Sequence, residues 1–189
     1  MSADEIKDLL KDAETRMSGA IHSLVDHLAG IRTGRASPAL VEKLPVEYYG
    51  TPTHLMQLAS ISVPEPRSLL IKPFDAASIK DIEKAIQASN LGLNPNSDGK
   101  VIHLNLPPLD EERRRDLVKQ MHHRLEEARV AVRNIRRDLH NDIREYEKEK
   151  LITEDDLKRG EEDLQKLTDK FVEDIARHGY TKENEIMEV

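Results

Sequence analysis

The stretch of sequence that decides the fold reads ARVAVRNIRRDLHNDIREYE and covers residues 128–147. Its apolar side chains recur at the spacing of one helical face. The same spacing continues in the residues before this stretch, back to Leu117. The members of this face are Leu117, Met121, Leu125, Val132, Ile135, Leu139, Ile143 and Tyr146. No Gly or Pro interrupts the segment after Pro107-Pro108, so we predict a helix of about forty residues, roughly 60 Å long, with Asp110 as its N-cap.

Two further long helices are predicted on either side in the chain. The first begins at a capping-box pattern, Ser2 with Glu5, and runs to about Gly30; the last begins at Thr153 and ends at Gly179. The apolar stripe of the first helix consists of Ile6, Leu10, Ala13, Met17, Ala20, Leu24, Leu28 and Ile31. Because an isolated amphipathic helix leaves its apolar face in water, the three helices are expected to pack as a bundle.

The segment from 31 to 105 differs in composition and pattern from the helical segments, because it contains most of the prolines and several short strand patterns. Strands are predicted at 46–49, 60–63, 68–71 and 101–106, a helix follows a cap at Ser78, and 94–99 reads as a turn. We therefore predict an α+β protein, in which residues 1–30 and 106–189 form a long three-helix bundle and 31–105 an inserted small α/β domain. The hinges should lie near 30–35 and 105–108, with the residues Gly30, Arg32, Gly34, Arg35, Asn105, Pro107 and Pro108.

The composition excludes several classes of protein. The 189 residues contain no cysteine, which rules out disulfides and cysteine-based nucleophiles or metal sites. Charged residues make up 34%, above the roughly 25% of an average domain, as expected for long solvated helices. No signal peptide and no run of about 18 apolar residues is visible. We expect a cytoplasmic protein that does not act at a membrane.

Charges on the long helix are segregated by sign. The chain carries a net charge of -7, yet Arg113–Arg144 holds ten Lys or Arg against five Asp or Glu, whereas Glu145–Val189 holds eight against fifteen. At 100° per residue with Arg129 at zero, apolar side chains lie at about 240–320° and most acidic ones at about 140–220°. The basic side chains lie between about 340° and 80°; this basic stripe consists of Arg129, Arg133, Arg136 and Arg137, with His122, His140 and Arg144 as secondary members.

The basic stripe predicts a phosphate-bearing partner. Guanidinium groups one helical turn apart repel one another because they carry the same charge. An anionic partner would offset this repulsion, which does not arise on a helical face of mixed charge. Arginine binds phosphate in a bidentate manner, and a straight helix presents the groups along a line that suits an RNA backbone. A basic stripe on an otherwise acidic protein further indicates recognition of a particular RNA shape.

Other readings are weaker. A coiled-coil adaptor could use the stripe to bind an acidic protein, or the acidic C-terminal region of its own chain. An enzyme that uses the small domain would need clustered acid and base groups, and the sequence shows no triad or phosphate-cradling loop. His122 and His123 point about 100° apart on a helix, so we expect no metal site, and no cofactor is expected either.

Five segments, in order along the chain, resemble the bacterial ribosome recycling factor family. They are IRTGRASP at 31–38, VEYYGTP at 46–52, NLGLNPN at 90–96, LPPL at 106–109 with ERR at 112–114, and ARVAVRNIRRD at 128–138. Together they span most of the chain. The resemblance implies an L-shaped, monomeric protein that is not an enzyme and has a three-helix bundle and a β/α/β sandwich domain.

The resemblance also implies function and partners. Members of the family bind in the intersubunit space of the post-termination ribosome and, with elongation factor G and GTP hydrolysis by that factor, separate the subunits. Their bundle grips large-subunit RNA with arginines that match Arg114, Arg133 and Arg136, and Arg129 and Arg137 lie beside these positions. The small domain faces elongation factor G and rotates about the hinge.

Overall fold

The computed structural model describes residues 2–188, with side chains from residue 4 to residue 188. It contains five α-helices within this range: α1 Ser2–Ala29, α2 Leu55–Leu58, α3 Ile79–Ala88, α4 Glu111–Lys148 and α5 Glu154–Met187. Six strands complete the fold: β1 Pro45–Tyr48, β2 Thr51–His54, β3 Ala59–Glu65, β4 Ser68–Pro73, β5 Pro95–Ser97 and β6 Ile102–Asn105. The predicted α+β class, with long helices and a small domain of strands, is confirmed.

The chain forms two compact units. The first comprises the residues up to Leu28 together with Lys119–Glu183, and the second comprises Ala29–Val118 together with the residues from Asn184 onward. The first unit is helical, and the second contains all the strands described above.

The first unit consists of three long helices packed together, namely α1 and the greater parts of α4 and α5. Its helices meet at Gly160 of α5, where a Cβ atom would lie 3.5 Å from both Ile143 of α4 and Ile6 of α1. The fully buried side chains of the bundle include Met17, Leu24, Met121, Ile143 and Leu164. Burial of each such side chain stabilises the bundle by about 1.5–3 kcal/mol relative to exposure.

Gly179 does not end the last helix, and that prediction was wrong. Helix α5 continues for two further turns, to Met187. The glycine lies directly against buried Leu125 of α4, whose Cδ1 atom would be only 2.4 Å from a Cβ at this position. Gly179 is therefore required for close packing of two helices rather than for chain termination.

The two buried glycines of α5 should respond oppositely to alanine. Gly160→Ala should raise the unfolding free energy by up to about 1 kcal/mol, because alanine favours helix and its methyl group would be in ordinary contact. In Gly179→Ala the same gain is outweighed by overpacking, which costs about 1–3 kcal/mol, so stability should fall. Urea denaturation followed by far-UV circular dichroism measures both; equal shifts in the two variants would contradict this account.

The predicted helix caps are partly confirmed. Asp110 accepts a hydrogen bond from the backbone N–H of Arg113 at 2.7 Å, and Thr153 and Asp156 form a reciprocal pair at 3.1 Å in each direction. Ser78 is the N-cap residue of α3, as predicted, but its hydroxyl donates to the carbonyl of Asp75 and does not accept from the helix. The cap predicted at Ser2 concerns a side chain outside the described residues.

The second unit has two antiparallel sheets with a helix between them. Strands β1 and β2 form a hairpin, and the other sheet has the order β3-β4-β6-β5. Helix α3 contacts both sheets, through β1 of the first and β5 of the second. The fully buried residues of the shared core are Val41, Val46, Leu55, Leu69, Ile71, Ile82, Ile86, Ile102 and Leu104.

Two strands of this unit escaped prediction. Strand β2 begins at Thr51 and contains Pro52, and β5 begins at Pro95 inside the segment read as a turn. Both strands lie at a sheet edge, where the missing N–H of proline removes no hydrogen bond to a second neighbour. The prolines therefore indicate edge strands here rather than breaks.

Candidate nucleic-acid interface

Helix α4 presents the basic stripe on a continuous support. Because the helix runs without interruption from Glu111 to Lys148, the predicted angular spacing of its side chains holds throughout the first unit. Arg133 and Arg144 are 57% and 63% exposed, and His122 and Arg137 are also exposed. Arg129 and Arg136, at the edge of the apolar face, are half-buried, as is His140. The residues of the stripe next to the apolar face are thus half-buried, and those farther from it are exposed.

The neighbouring helices flank α4 on opposite sides. Arg16 of α1 binds Asp138, on the acidic side, at 3.2 Å. Glu161 of α5 binds His140 at 3.0 Å and Arg144 at 3.7 Å, on the basic side. The exposed part of the stripe therefore lies on the outer surface of the bundle, beside α5.

The stripe is less purely basic than its spacing predicts. Glu126 lies 3.0 Å from Arg129 and 3.9 Å from Arg133, and Glu161 of α5 contacts His140 and Arg144. The contact of Glu161 depends on tertiary packing, so helical periodicity could not reveal it. Such exposed ion pairs contribute about 0–1 kcal/mol and are readily exchanged for a phosphate.

Arg136 and Arg137 form no ion pair with any residue of the described range, 4–188. They are consecutive and about 100° apart, and Arg133 lies one turn before Arg137. These three guanidinium groups, two of them unpaired and the third at 3.9 Å from its carboxylate, are the part of the stripe most available to an external anion.

Glu127, on the acidic side of α4, is held in its ionised form. A hydrogen bond from Arg124, 3.0 Å from Glu127, lowers the pKa of that carboxyl, with further contributions from the charges of Arg124, His123 and His27. A polyanion is therefore repelled from this side and is directed towards the stripe.

Arg114 belongs to the second unit, unlike the other predicted RNA-binding residues. It lies in the second turn of α4 and is half-buried, and its Nε atom is buried without a hydrogen-bond partner among the described residues. Its side chain lines an open cleft together with Arg35 and Arg67.

The predicted hinge residues also lie in the second unit. Arg32 is only 7% exposed, and its guanidinium group donates a hydrogen bond to the carbonyl of Pro107. Burial, followed by the nearby charge of Arg113, lowers the pKa of Arg32. Arg35 contacts Glu188 at 3.7 Å, and Gly34 lies against the carbonyl of the same residue. The remaining predicted hinge residues, Gly30, Asn105 and Pro108, are exposed.

Two adjacent tyrosines of the β1–β2 hairpin line a small cavity in the second unit. A cavity of about 100 Å³ is lined by Tyr48, Tyr49, Asp75, Ala77, Ser78 and Asp81. Burial, then the charges of Tyr49 and Asp75, raises the pKa of Tyr48, so this hydroxyl stays protonated and is a poor base. Tyr48 packs against the core, whereas Tyr49 at the hairpin turn is 81% exposed.

Neither a metal cluster nor a membrane span is found in the described part of the chain. Residues 4–188 contain no group of three or more His, Asp or Glu side chains placed to hold a metal ion. None of the helices between residues 2 and 188 has the length and apolar character that crossing a lipid bilayer requires.

Comparison with known proteins places these features in a family. A family model described as ribosome recycling factor matches residues 24–187. The ribosome-recycling factor of Halalkalibacterium halodurans is 56% identical over 97% of this chain and 99% of its own length. That of Chloroflexus aurantiacus is 54% identical over 97% of this chain and its entire length.

Solved structures agree with this comparison. The solution structure of a ribosome recycling factor has a TM-score of 0.77 at 48% identity, with 98% of each chain covered. A second match has a TM-score of 0.67 at 43% identity and covers 96% of this chain and 98% of the other. It comes from models of the T. thermophilus ribosome recycling factor and E. coli elongation factor G bound to the E. coli post-termination complex.

Proposed function

The chain belongs to the ribosome recycling factor family, and from this premise we propose that it binds the post-termination ribosome and promotes separation of the subunits. It acts with elongation factor G, which supplies GTP hydrolysis, and is itself not an enzyme. Its place of action is the cytoplasm, where ribosomes are recycled, and it works there as a monomer.

The arginines of helix α4 are the observation that supports this proposal most directly. Arg133, Arg136 and Arg137 lie on a single uninterrupted helix, and two of them have no ion-pair partner within the described chain. We assign to these residues and Arg129 the main contact with large-subunit RNA in the intersubunit space. Arg114 is assigned to the same RNA, and His122, His140 and Arg144 are secondary contacts.

The partner assignment is supported by the second solved structure, in which a recycling factor and elongation factor G are together on a post-termination complex. We propose that the α/β domain of residues 31–105 faces elongation factor G in this chain. The connections near 30–35 and 105–108 then act as the hinge, with the bundle formed by 1–30 and 106–189.

This division of labour has a mechanical basis. The three helices of the bundle bury their apolar stripes against one another, which makes the bundle stiff. When elongation factor G pushes on the small domain, a stiff bundle transmits the force to the RNA held by the basic stripe. The hinge allows the small domain to change direction without release of that RNA.

Splitting of post-termination ribosomes by the purified chain tests the proposal. Light scattering should fall as 70S particles separate when the chain, elongation factor G and GTP are all present. Omission of any one of them, or replacement of GTP by a non-hydrolysable analogue, should prevent splitting. A complete mixture that leaves the 70S particles intact would refute the recycling function and favour an adaptor, for which the contact of Glu161 with the stripe provides a precedent.

A further inference from the structure

An open cleft in the second unit brings together three arginines that lie far apart in the chain. Arg35 comes from the loop after α1, Arg67 from the turn between β3 and β4, and Arg114 from the start of α4. The cleft has a volume of about 710 Å³, enough for a phosphate group and part of the chain to which it is attached.

The guanidinium groups of this cleft are incompletely satisfied. The Nε–H of Arg114 is buried and lacks an acceptor among the described residues, so this guanidinium group is not fully satisfied within the chain. Arg67 is exposed and forms no ion pair within residues 4–188. Arg35 lies 3.7 Å from Glu188, but both side chains are mostly exposed, so this pair is weak.

The charges of the cleft select an anion. Three arginines outnumber the two carboxylates of Glu185 and Glu188, and the carboxylates belong to the C-terminal end of α5 and the residue after it. An oxyanion has several acceptor oxygens, so it can bind guanidinium groups supplied by three different segments of the chain. Because the cleft is open, a phosphate within a nucleic-acid backbone can enter while the strand passes on either side.

We propose that this cleft is a second phosphate-binding site, formed by Arg35, Arg67 and Arg114, which takes a backbone phosphate of RNA. The inference rests on the proposed function, since that function supplies the RNA. It adds Arg35 and Arg67 to the RNA-binding residues. Glu188 releases Arg35 when the phosphate enters.

Binding of the full-length protein to purified large subunits, measured over a range of salt concentrations, tests the site. Arg67→Gln should weaken binding about tenfold and reduce the slope of log affinity against log salt by about one, since one phosphate contact is lost. Glu188→Gln should tighten binding about twofold to threefold, because it removes the competing carboxylate. Lys84→Gln, which removes an exposed charge of the same unit outside the cleft, should bind like the unaltered protein.

The outcomes separate this inference from the function on which it rests. If Arg133→Ala weakens binding and Arg67→Gln does not, the cleft is not an RNA site and the proposed function stands. If neither variant loses affinity, the RNA contact proposed for the stripe is wrong as well. Titration with inorganic phosphate, followed by the amide NMR signals of residues 33–37 and 67, shows whether the cleft binds a free anion. If these signals reach saturation but Arg67→Gln does not change binding to the subunit, the cleft binds free phosphate and not RNA, and the proposal is overturned.

Discussion

Replacing Arg133 and Arg136 together by alanine is expected to weaken binding to the large ribosomal subunit by roughly 100-fold. Hydrogen bonds to charged groups contribute about 1.5–3 kcal/mol each, and two such contacts at the lower value give about 3 kcal/mol. The effect should be large because neither guanidinium has a close carboxylate to return to: Arg136 has no ion pair in the described chain, and Arg133 lies 3.9 Å from Glu126. Equilibrium binding to purified subunits measures the change.

Two controls make this result specific. Lys170→Ala with Arg177→Ala removes the same two charges from exposed positions of α5 and should leave affinity within a factor of about two. Salt dependence gives a second readout, since loss of two phosphate contacts should reduce the slope of log affinity against log salt by about two. Far-UV circular dichroism establishes that the helices remain. Equal affinity of the stripe variant and the α5 variant would show that the stripe does not bind RNA.

Replacing Ile143 by alanine is expected to lower the free energy of unfolding by about 2–5 kcal/mol, as in other buried Ile-to-Ala changes. The side chain is completely buried in α4, and two of its carbon atoms lie about 3.5 Å from where a Cβ of Gly160 would be, beside Ile6 of α1. It therefore fills the space at which all three helices meet. A loss of about 3 kcal/mol corresponds to a fall in Tm of roughly 6–12 °C for a protein of this size.

The matched control for Ile143 lies on the same helix. Val130 is 46% exposed, so Val130→Ala removes an aliphatic side chain without leaving a cavity and should change stability by less than about 0.5 kcal/mol. Chemical denaturation of both variants, with the full chain, measures the difference. Similar losses in the two variants would mean that the meeting point of the helices is not close-packed.

The sequence predicts the long helices well because each carries its own repeating signal. The apolar face from Leu117 to Ile143 is visible without any tertiary information, and Asp110 and Thr153 mark helix starts through hydrogen bonds to nearby backbone groups. The end of α5 was predicted wrongly at Gly179, because a glycine selected for contact with Leu125 has the same sequence appearance as a helix stop. Only the packing distinguishes these two reasons for glycine.

The candidate site shows the same limit. The basic stripe follows from the helical period, since its members share one helix and their order is local. By contrast, the contact of Glu161 with His140 and the approach of Arg67 to Arg114 join segments that are remote in the chain. No spacing rule encodes such proximity, so these features could be found only from the three-dimensional structure.

The hydrogen bond from Arg32 to Pro107 joins two segments of the second unit that lie 75 residues apart in the chain. Its donor is charged and buried, and breaking such a bond costs about 1.5–3 kcal/mol, several times the thermal energy of roughly 0.6 kcal/mol. Thermal motion therefore rarely separates the two segments, and the loop after α1 and the connection before α4 move together.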